Sequence, residues 1–355
     1  MIFRQLFDLT SSTYTYLLAC ERTREAVIID TVFPQFDRDA ALVRELGLDL
    51  KYVLDTHVHA DHVTAAWRFH ERFGAKIVLS GAYGAKNVDI EAQDGDVIAF
   101  GDETITVHAT PGHTAGCLTF VTGDGKRAFT GDCLLVRGAG RTDFQSGDVG
   151  AMWHSIHDVI FTLPPDCLLY PGHDYNGRTV SSVAEEKRFN PRIGGDARLE
   201  DFSGYMNNLG LPHPKLIAEA VPANMRCGRP EGEVQETDDW APLNRTFAGV
   251  SEIDPEWLAT HIDDVYVLDV RSAQEFLGEP GHLRDAHLLP LDELRARIEE
   301  VPRDVPVVTV CQSGKRSAMA AQILAADGRE RVANLPGGII DWFRMALPLT
   351  REGSN

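Results

Sequence analysis

Short β-branched and aromatic runs alternate with stretches of helical spacing along the chain, and after one break the alternation starts afresh. Residues 26–30 (AVIID), 51–56 (KYVLDT), 76–80, 96–100, 104–110, 117–123, 127–132 and 167–174 (CLLYPGHD) read as strands, several of which run straight into a polar loop. Residues 63–74 place apolar side chains at helical spacing and stop at Gly74. From 181 to 230 the pattern is more helical and punctuated by proline. The stretch 230–247, PEGEVQETDDWAPLNRTF, is acidic and short of apolar residues, which marks a linker. Beyond it come a strand at 265–270, a helix at 291–301, a strand at 305–310 and a helix at 315–328. That order predicts a small α/β domain with a parallel sheet. The expected division is a first domain over 1–230, a linker over 231–247 and a second domain over 248–350.

Composition fits two domains. The 355 residues are 43% hydrophobic and 25% charged, enough for each half to bury its own core. With 53 acidic against 34 basic residues the formal charge is −19, a field that repels phosphate backbones and speaks against nucleic acid. It leaves room for an anionic substrate, since a local arginine or metal outweighs a distant net charge. The first residues lack the basic-then-apolar order of a signal peptide, and no run of 18 apolar residues predicts a membrane span. Six scattered cysteines without a CxxC pair suit a reducing compartment, so a cytoplasmic location is expected.

The chemistry concentrates at predicted strand ends. His57, His59, Asp61 and His62 lie within six residues, directly after a strand. His113, Asp132 and His173 each follow a later strand. Imidazoles and carboxylates without thiolates suit zinc, iron or manganese. His70, His108, His154, His157, His213 and His261 have no such context and read as ordinary side chains. Further on, the strand VPVVTV delivers Cys311 into the loop Gln312-Ser313-Gly314-Lys315-Arg316, followed by Ser317 and a helix. A helix N-terminus and two cations favour a thiolate there. Cys117 and Cys133 flank ligand positions but sit in apolar, strand-like settings that favour inert thiols.

The histidine–aspartate pattern resembles the metallo-β-lactamase superfamily, which implies an αββα sandwich with metals at one edge. Fold alone does not settle the reaction there. RQLFD…SSTYTYLL, THVHADH, TPGHTAGC, TGDCLLVRGAGRTDFQSG, YPGHDYNG and VPANMRCG together look like persulfide dioxygenases. That resemblance implies one ferrous iron, Fe(II), per chain, held by His57, His113 and Asp132. It leaves His59, Asp61, His62 and His173 to orient ligands or shape the pocket. Arg141 and Asp174 are expected to pair with each other in support. Arg137, Tyr175 and Arg226 are the candidates for holding glutathione. The implied reaction takes glutathione persulfide, O2 and water to sulfite and glutathione.

The second half looks like a single-domain rhodanese, on VYVLDVRSAQEF, GHLRDAHLLP, the CxxGxRS loop and VANLPGGIIDW. The resemblance implies a parallel-sheet α/β domain with Cys311 as nucleophile and Arg316 in its catalytic loop. Asp269 and Arg271 would organise the floor beneath. Thiosulfate would load Cys311 with sulfur and release sulfite, and glutathione would collect it, or the flow would run in reverse. Proteins resembling the first half often self-associate through that N-terminal module, so a homo-oligomer is expected. Two rivals remain: a glyoxalase II-like hydrolase with all seven ligands on two metals bridged by Asp132, and a non-enzymatic persulfide carrier.

Overall fold

The computed structural model describes residues 1–232 and 240–351, so 233–239, the centre of the predicted linker, lies outside the described residues. The chain divides into two compact units, Met1–Phe36 with Leu46–Gly232, and Asp37–Glu45 with the described residues that follow.

In the first unit, one six-stranded sheet runs in spatial order β1 (Ile2–Asp8), β2 (Thr13–Ala19), β3 (Glu25–Ile29), β4 (Asp49–Leu54), β5 (Lys76–Ser80), β6 (Ile90–Ala92). The second contains β7 (Val97–Phe100), β8 (Glu103–Ala109), β9 (Leu118–Thr122), β10 (Arg127–Gly131), β11 (Leu168–Pro171) and β12 (Ser181–Ser182). Strands β3 to β6 pair in parallel, as do β10 and β11, while β7 to β10 are antiparallel. The inner faces meet in one core, where Tyr16, Val27, Leu54 and Val78 face Val107, Phe120 and Phe129.

A helix, Ala66–Phe73, ends at Gly74 as its spacing predicts and packs on β4 and β5. Helices Val149–His154, Val183–Phe189 and Leu199–Met206 cover the other outer face through Met152, Val183, Phe202 and Met206. The layers are helix, sheet, sheet, helix. The β1–β2 hairpin was not legible in the pattern. Along β1 only Leu6 and Asp8 are buried, while β2 is buried throughout, so neither strand alternates.

The second unit holds a sheet ordered β13 (Leu243–Arg245), β14 (Ser251–Ile253), β18 (Val332–Asn334), β17 (Val307–Val310), β15 (Tyr266–Asp269), β16 (His287–Leu288). All its pairings are parallel except β13 with β14. Strand β13 falls inside the predicted linker 231–247; its ladder to β14 draws this polar segment into the sheet. The expected helix 291–301 is also broken. It forms only over Leu291–Leu294, then tightens through a three-residue hydrogen bond from Ala296 to Glu293 into the short turn Ile298–Glu300. Among the described residues no helix is long and apolar enough to cross a membrane.

Candidate metal centre and cysteine loop

Five strands of the first unit hand a polar side chain to one edge: β3 gives Asp30, β4 leads to His57, β8 to His113, β10 to Asp132 and β11 to His173. The carboxyl ends of strands are where loops can converge without disturbing the sheet. The seven side chains singled out in the sequence do meet, but in two groups. His57, His113 and Asp132 offer ligand atoms within 4.8 Å of one another, and His59, Asp61, His62 and His173 do the same separately.

In the first group each ligand is aimed from behind. His113 donates from Nδ1 to the Arg141 carbonyl at 2.6 Å, which turns its Nε2 toward Asp132 Oδ2, 3.7 Å away. The Thr56 hydroxyl lies 3.0 Å from His57 Nδ1, and the His57 and His113 rings stand edge to face at 5.0 Å. Asp132 keeps Oδ2 for this group because His173 Nδ1 takes Oδ1 at 2.7 Å. Gly140 lets the chain pass so closely. A Cβ there would come within 2.2 Å of the Asp132 carbonyl and 3.0 Å of His113 Nδ1.

Electrostatics complete a cation site. Burial, with other histidines nearby, holds His57 well below its ordinary pKa, so its lone pair is free. Burial pushes Asp132 up, but His173, His113 and His57 outweigh it and keep the carboxyl well below its usual range. Two imidazoles and an ionised carboxylate in a buried cleft fit a divalent metal.

The second group is knitted by hydrogen bonds. Asp61 Oδ2 receives His173 Nε2 and His62 Nδ1, each at 2.9 Å. His173 therefore lies between two carboxylates; burial lowers its pKa, yet Asp132 and Asp61 hold it well above the ordinary value. His59 Nε2 is 3.2 Å from Asp30 Oδ1. His59 Nδ1 and His62 Nε2 are buried without a partner.

Three residues that sequence reading missed support these groups. Asp30 accepts the Thr56 N–H at 2.7 Å and its hydroxyl at 2.9 Å. The Thr13 hydroxyl touches His173 Nε2 at 2.9 Å and lies 3.3 Å from both Asp61 and His62. Asn224 clamps the ligand loop, donating to the carbonyls of His59 and His62 at 2.9 and 2.8 Å while accepting from Thr64 N–H at 2.9 Å. Thr13 and Asn224 stand inside SSTYTYLL and VPANMRCG, the only signal the sequence carries for them.

Two expectations need correction. Arg141 and Asp174 do not pair. Arg141 forks onto Asp143 at 2.6 Å and reaches the Leu211 and Pro212 carbonyls, while Asp174 caps a turn through the N–H groups of Asn176 and Arg178. Asp143 is two residues away and already at the surface, so the fork forms locally. Arg137 is tied to the buried Glu186, to Ser181 and to Glu185, which commits its cation to the fold rather than to a substrate carboxylate. Tyr175 is exposed, its ring parallel to that of His173 at 6.3 Å, and Arg226 pairs with the exposed Glu231 at 2.8 Å. Cys117 and Cys133 are free thiols in the core; burial pushes Cys117 up to about 12 and Cys133 well above its ordinary value.

In the second unit β17 delivers Cys311 to a loop that closes on the helix Lys315–Ala326. Burial raises the thiol's pKa, but the Ser317 hydroxyl at 3.3 Å and the N–H groups of Ser317, Ser313 and Arg316 outweigh it, leaving Cys311 below the ordinary value. Gly314 supplies a left-handed bend at φ 82°, and Gly338 lets the next helix approach, since a Cβ there would lie 2.2 Å from the Cys311 carbonyl. Arg316 gives Cys311 its N–H, whereas its guanidinium forks onto Glu275 at 2.6 and 2.9 Å. Asp269 and the fully buried Arg271 form a close pair, and Arg271 reaches the Gln312 side chain at 3.5 Å.

Family models match this chain twice: the metallo-β-lactamase superfamily over residues 10–173 and the rhodanese-like domain over 254–345. It is 51% identical over 229 residues to the human protein "Persulfide dioxygenase ETHE1, mitochondrial", covering 64% of this chain and 89% of that one. The crystal structure of ETHE1 from Myxococcus xanthus is 53% identical, with a TM-score of 0.62 over 64% of this chain and all of that one. A metallo-β-lactamase structure from Staphylococcus aureus shares the fold over 95% of this chain, with a TM-score of 0.60 at 22% identity.

Proposed function

The chain belongs to the persulfide dioxygenase family of the metallo-β-lactamase superfamily and carries a rhodanese-like domain behind it; from there we propose that it oxidises glutathione persulfide at one ferrous iron and moves sulfane sulfur through Cys311. The observation that carries the first half is the separate grouping of His57, His113 and Asp132. These two imidazoles and one carboxylate would hold the iron, a donor set that suits non-haem ferrous oxygen chemistry. Iron bound there would supply the one-electron chemistry that redox-silent zinc lacks.

The protein's own groups do the rest. The Arg141 carbonyl fixes the His113 tautomer, Thr56 steadies His57, and His173 holds Asp132 in place. Tyr175 and Arg226 remain the candidates for binding the glutathione part. The overall reaction balances as GSSH + O2 + H2O giving GSH, sulfite and two protons.

At the second site the Cys311 thiolate attacks the sulfane sulfur of thiosulfate. The Cys–S bond forms as the S–S bond breaks, and sulfite leaves with the electron pair while loop N–H groups hold its oxygens. Glutathione then takes the sulfur as glutathione persulfide, the substrate of the first site. The reverse flow makes thiosulfate from the same parts, and both serve sulfide oxidation. The expected setting is the cytoplasm with a self-associated protein.

The test is O2 uptake with glutathione persulfide by protein purified without air and reconstituted with about one ferrous ion per chain. Rapid uptake with stoichiometric sulfite is expected; none, with iron verified in place, moves the reading to a hydrolase. The hydrolase has one observation in its favour, the unpartnered buried nitrogens of His59 and His62 beside Asp61. Two tightly bound metals per chain and thioester cleavage would establish it.

A further inference from the structure

The loop between Arg141 and Asp148 holds a local oddity beside the metal centre. Gln145 and Ser146 are consecutive non-glycine residues with left-handed backbone, at φ 49° and 57°. A β-carbon makes that conformation unfavourable, and two in a row persist only where the surroundings enforce them. The surroundings do so from both sides: Gly147 N–H bonds back to the Phe144 carbonyl at 2.9 Å, and Asp148 N–H to the Gly112 carbonyl at 2.8 Å. Phe144 sets its ring edge to face with that of His113, 5.8 Å away.

The strained turn aims the Gln145 side chain. Its Nε2 donates at 3.0 Å to the carbonyl of Val58, the buried residue between His57 and His59. The amide thus ties this loop to the one that carries His57, while its neighbours Phe144 and Asp148 touch the one that carries His113. With the donor end fixed on Val58, the other end is an acceptor, and Gln145 Oε1 is buried with no hydrogen-bond partner. A buried acceptor left unpaired destabilises the free protein, and one beside a reaction centre is the kind a ligand satisfies.

We infer that Gln145 is a substrate-positioning residue whose side-chain carbonyl accepts an amide N–H of a peptide persulfide. This rests on the dioxygenase reading above and sharpens it to a substrate class: persulfides with an amide N–H near the sulfur, such as glutathione persulfide. An acceptor-only oxygen gives nothing to a carboxylate or sulfonate, so a persulfide lacking N–H groups gains nothing from it. Gln145 acts on where the substrate sits, and its loss falls on KM more than on kcat.

The experiment compares glutathione persulfide with the persulfide of 2-mercaptoethanesulfonate, which has no N–H, in iron-loaded wild type and Gln145→Met. Methionine keeps the length and bulk but removes both hydrogen bonds. The expected result is a KM for glutathione persulfide raised about tenfold, with a clearly smaller change for the amide-free persulfide. Equal losses on both would overturn the inference, because Gln145 would then only brace Val58. Should Gln145→Met not fold, Gln145→Glu keeps an acceptor oxygen at the same reach; retained preference for the amide-bearing persulfide supports the inference, and lost preference overturns it. Calorimetric binding of S-methylglutathione separates this from the underlying function. Binding about tenfold weaker in Gln145→Met supports the contact, even if no persulfide consumes O2 and the dioxygenase reading falls. Unchanged binding overturns the contact even if O2 uptake is rapid.

Discussion

The metal centre and the cysteine loop solve the same problem, holding a reactive group at a strand end, by opposite means. Around His57, His113 and Asp132 the work falls to side chains from loops far apart in sequence, each steadied by a further residue: Thr56, Arg141, His173. Around Cys311 it falls to neighbouring backbone N–H groups and to Ser317, all within seven residues. The thiols make the contrast sharp. Cys117 and Cys311 are both buried, yet burial drives one up to about 12 while the loop's hydrogen bonds bring the other below its ordinary value. At Cys117 burial outweighs the N–H and hydroxyl of Thr114, whereas at Cys311 the larger ring of donors outweighs burial, the balance that favours a reactive thiolate.

The strongest way to break the comparison is to disable each site alone. His113→Ala removes a proposed iron ligand, and even lost supporting residues cost about 10–100-fold in metal affinity or activity. O2 uptake should therefore fall by more than about 100-fold, with iron content dropping in parallel, while sulfur transfer from thiosulfate persists. Cys311→Ser should do the converse, since a hydroxyl is far less nucleophilic than a thiolate at neutral pH. A single change that silenced both activities in folded protein would end the claim of separate sites.

The difference also explains what the sequence could disclose. A contiguous device is legible: strand, Cys311, Gly314, Arg316 and helix appear in reading order. So are the seven metal-type side chains, because each follows a strand run. Their division into two groups is a matter of where four loops meet, which spacing does not encode and the resemblance alone supplied. Thr13, Asp30 and Asn224 were invisible as chemistry because hydroxyls, carboxylates and amides are common and their partners lie as far as 165 residues away. Arg137 and Arg141 misled for the same reason: a cation in a motif loop does not announce whether Glu186 or Asp143 has already claimed it. In the fold, the helix Ala66–Phe73 was plain from its spacing, whereas β1 and β2 do not alternate and β13 is polar.

A middle-sized effect tests whether the metal centre truly depends on remote support. Asn224→Ala strips two donors from the His59 and His62 carbonyls and an acceptor from Thr64, all buried. Each unpaired buried group costs about 1–3 kcal/mol, so thermal stability should fall with metal affinity, the latter by about 10-fold or more. Competition against a chelator reads the affinity, and Cys311 sulfur transfer should be spared. Wild-type affinity in Asn224→Ala would mean that the ligand loop holds its shape unaided.

The smallest effect sharpens the other side. With its pKa below the ordinary thiol value, Cys311 is already thiolate in the window between that lowered value and the ordinary one. Sulfur transfer from thiosulfate should rise with pH, level off early, and be lost as pH falls through the lowered pKa. Ser317→Ala removes the hydroxyl at 3.3 Å but leaves the N–H groups in place. The half-rise of the pH profile should move up, by no more than about one pH unit, the worth of one hydrogen bond. A shift of that size with the plateau rate kept would show the hydroxyl sharing the task with the backbone. A half-rise that stays put would assign the lowered pKa to the N–H groups alone, making the loop still more purely a backbone device and widening its contrast with the metal centre.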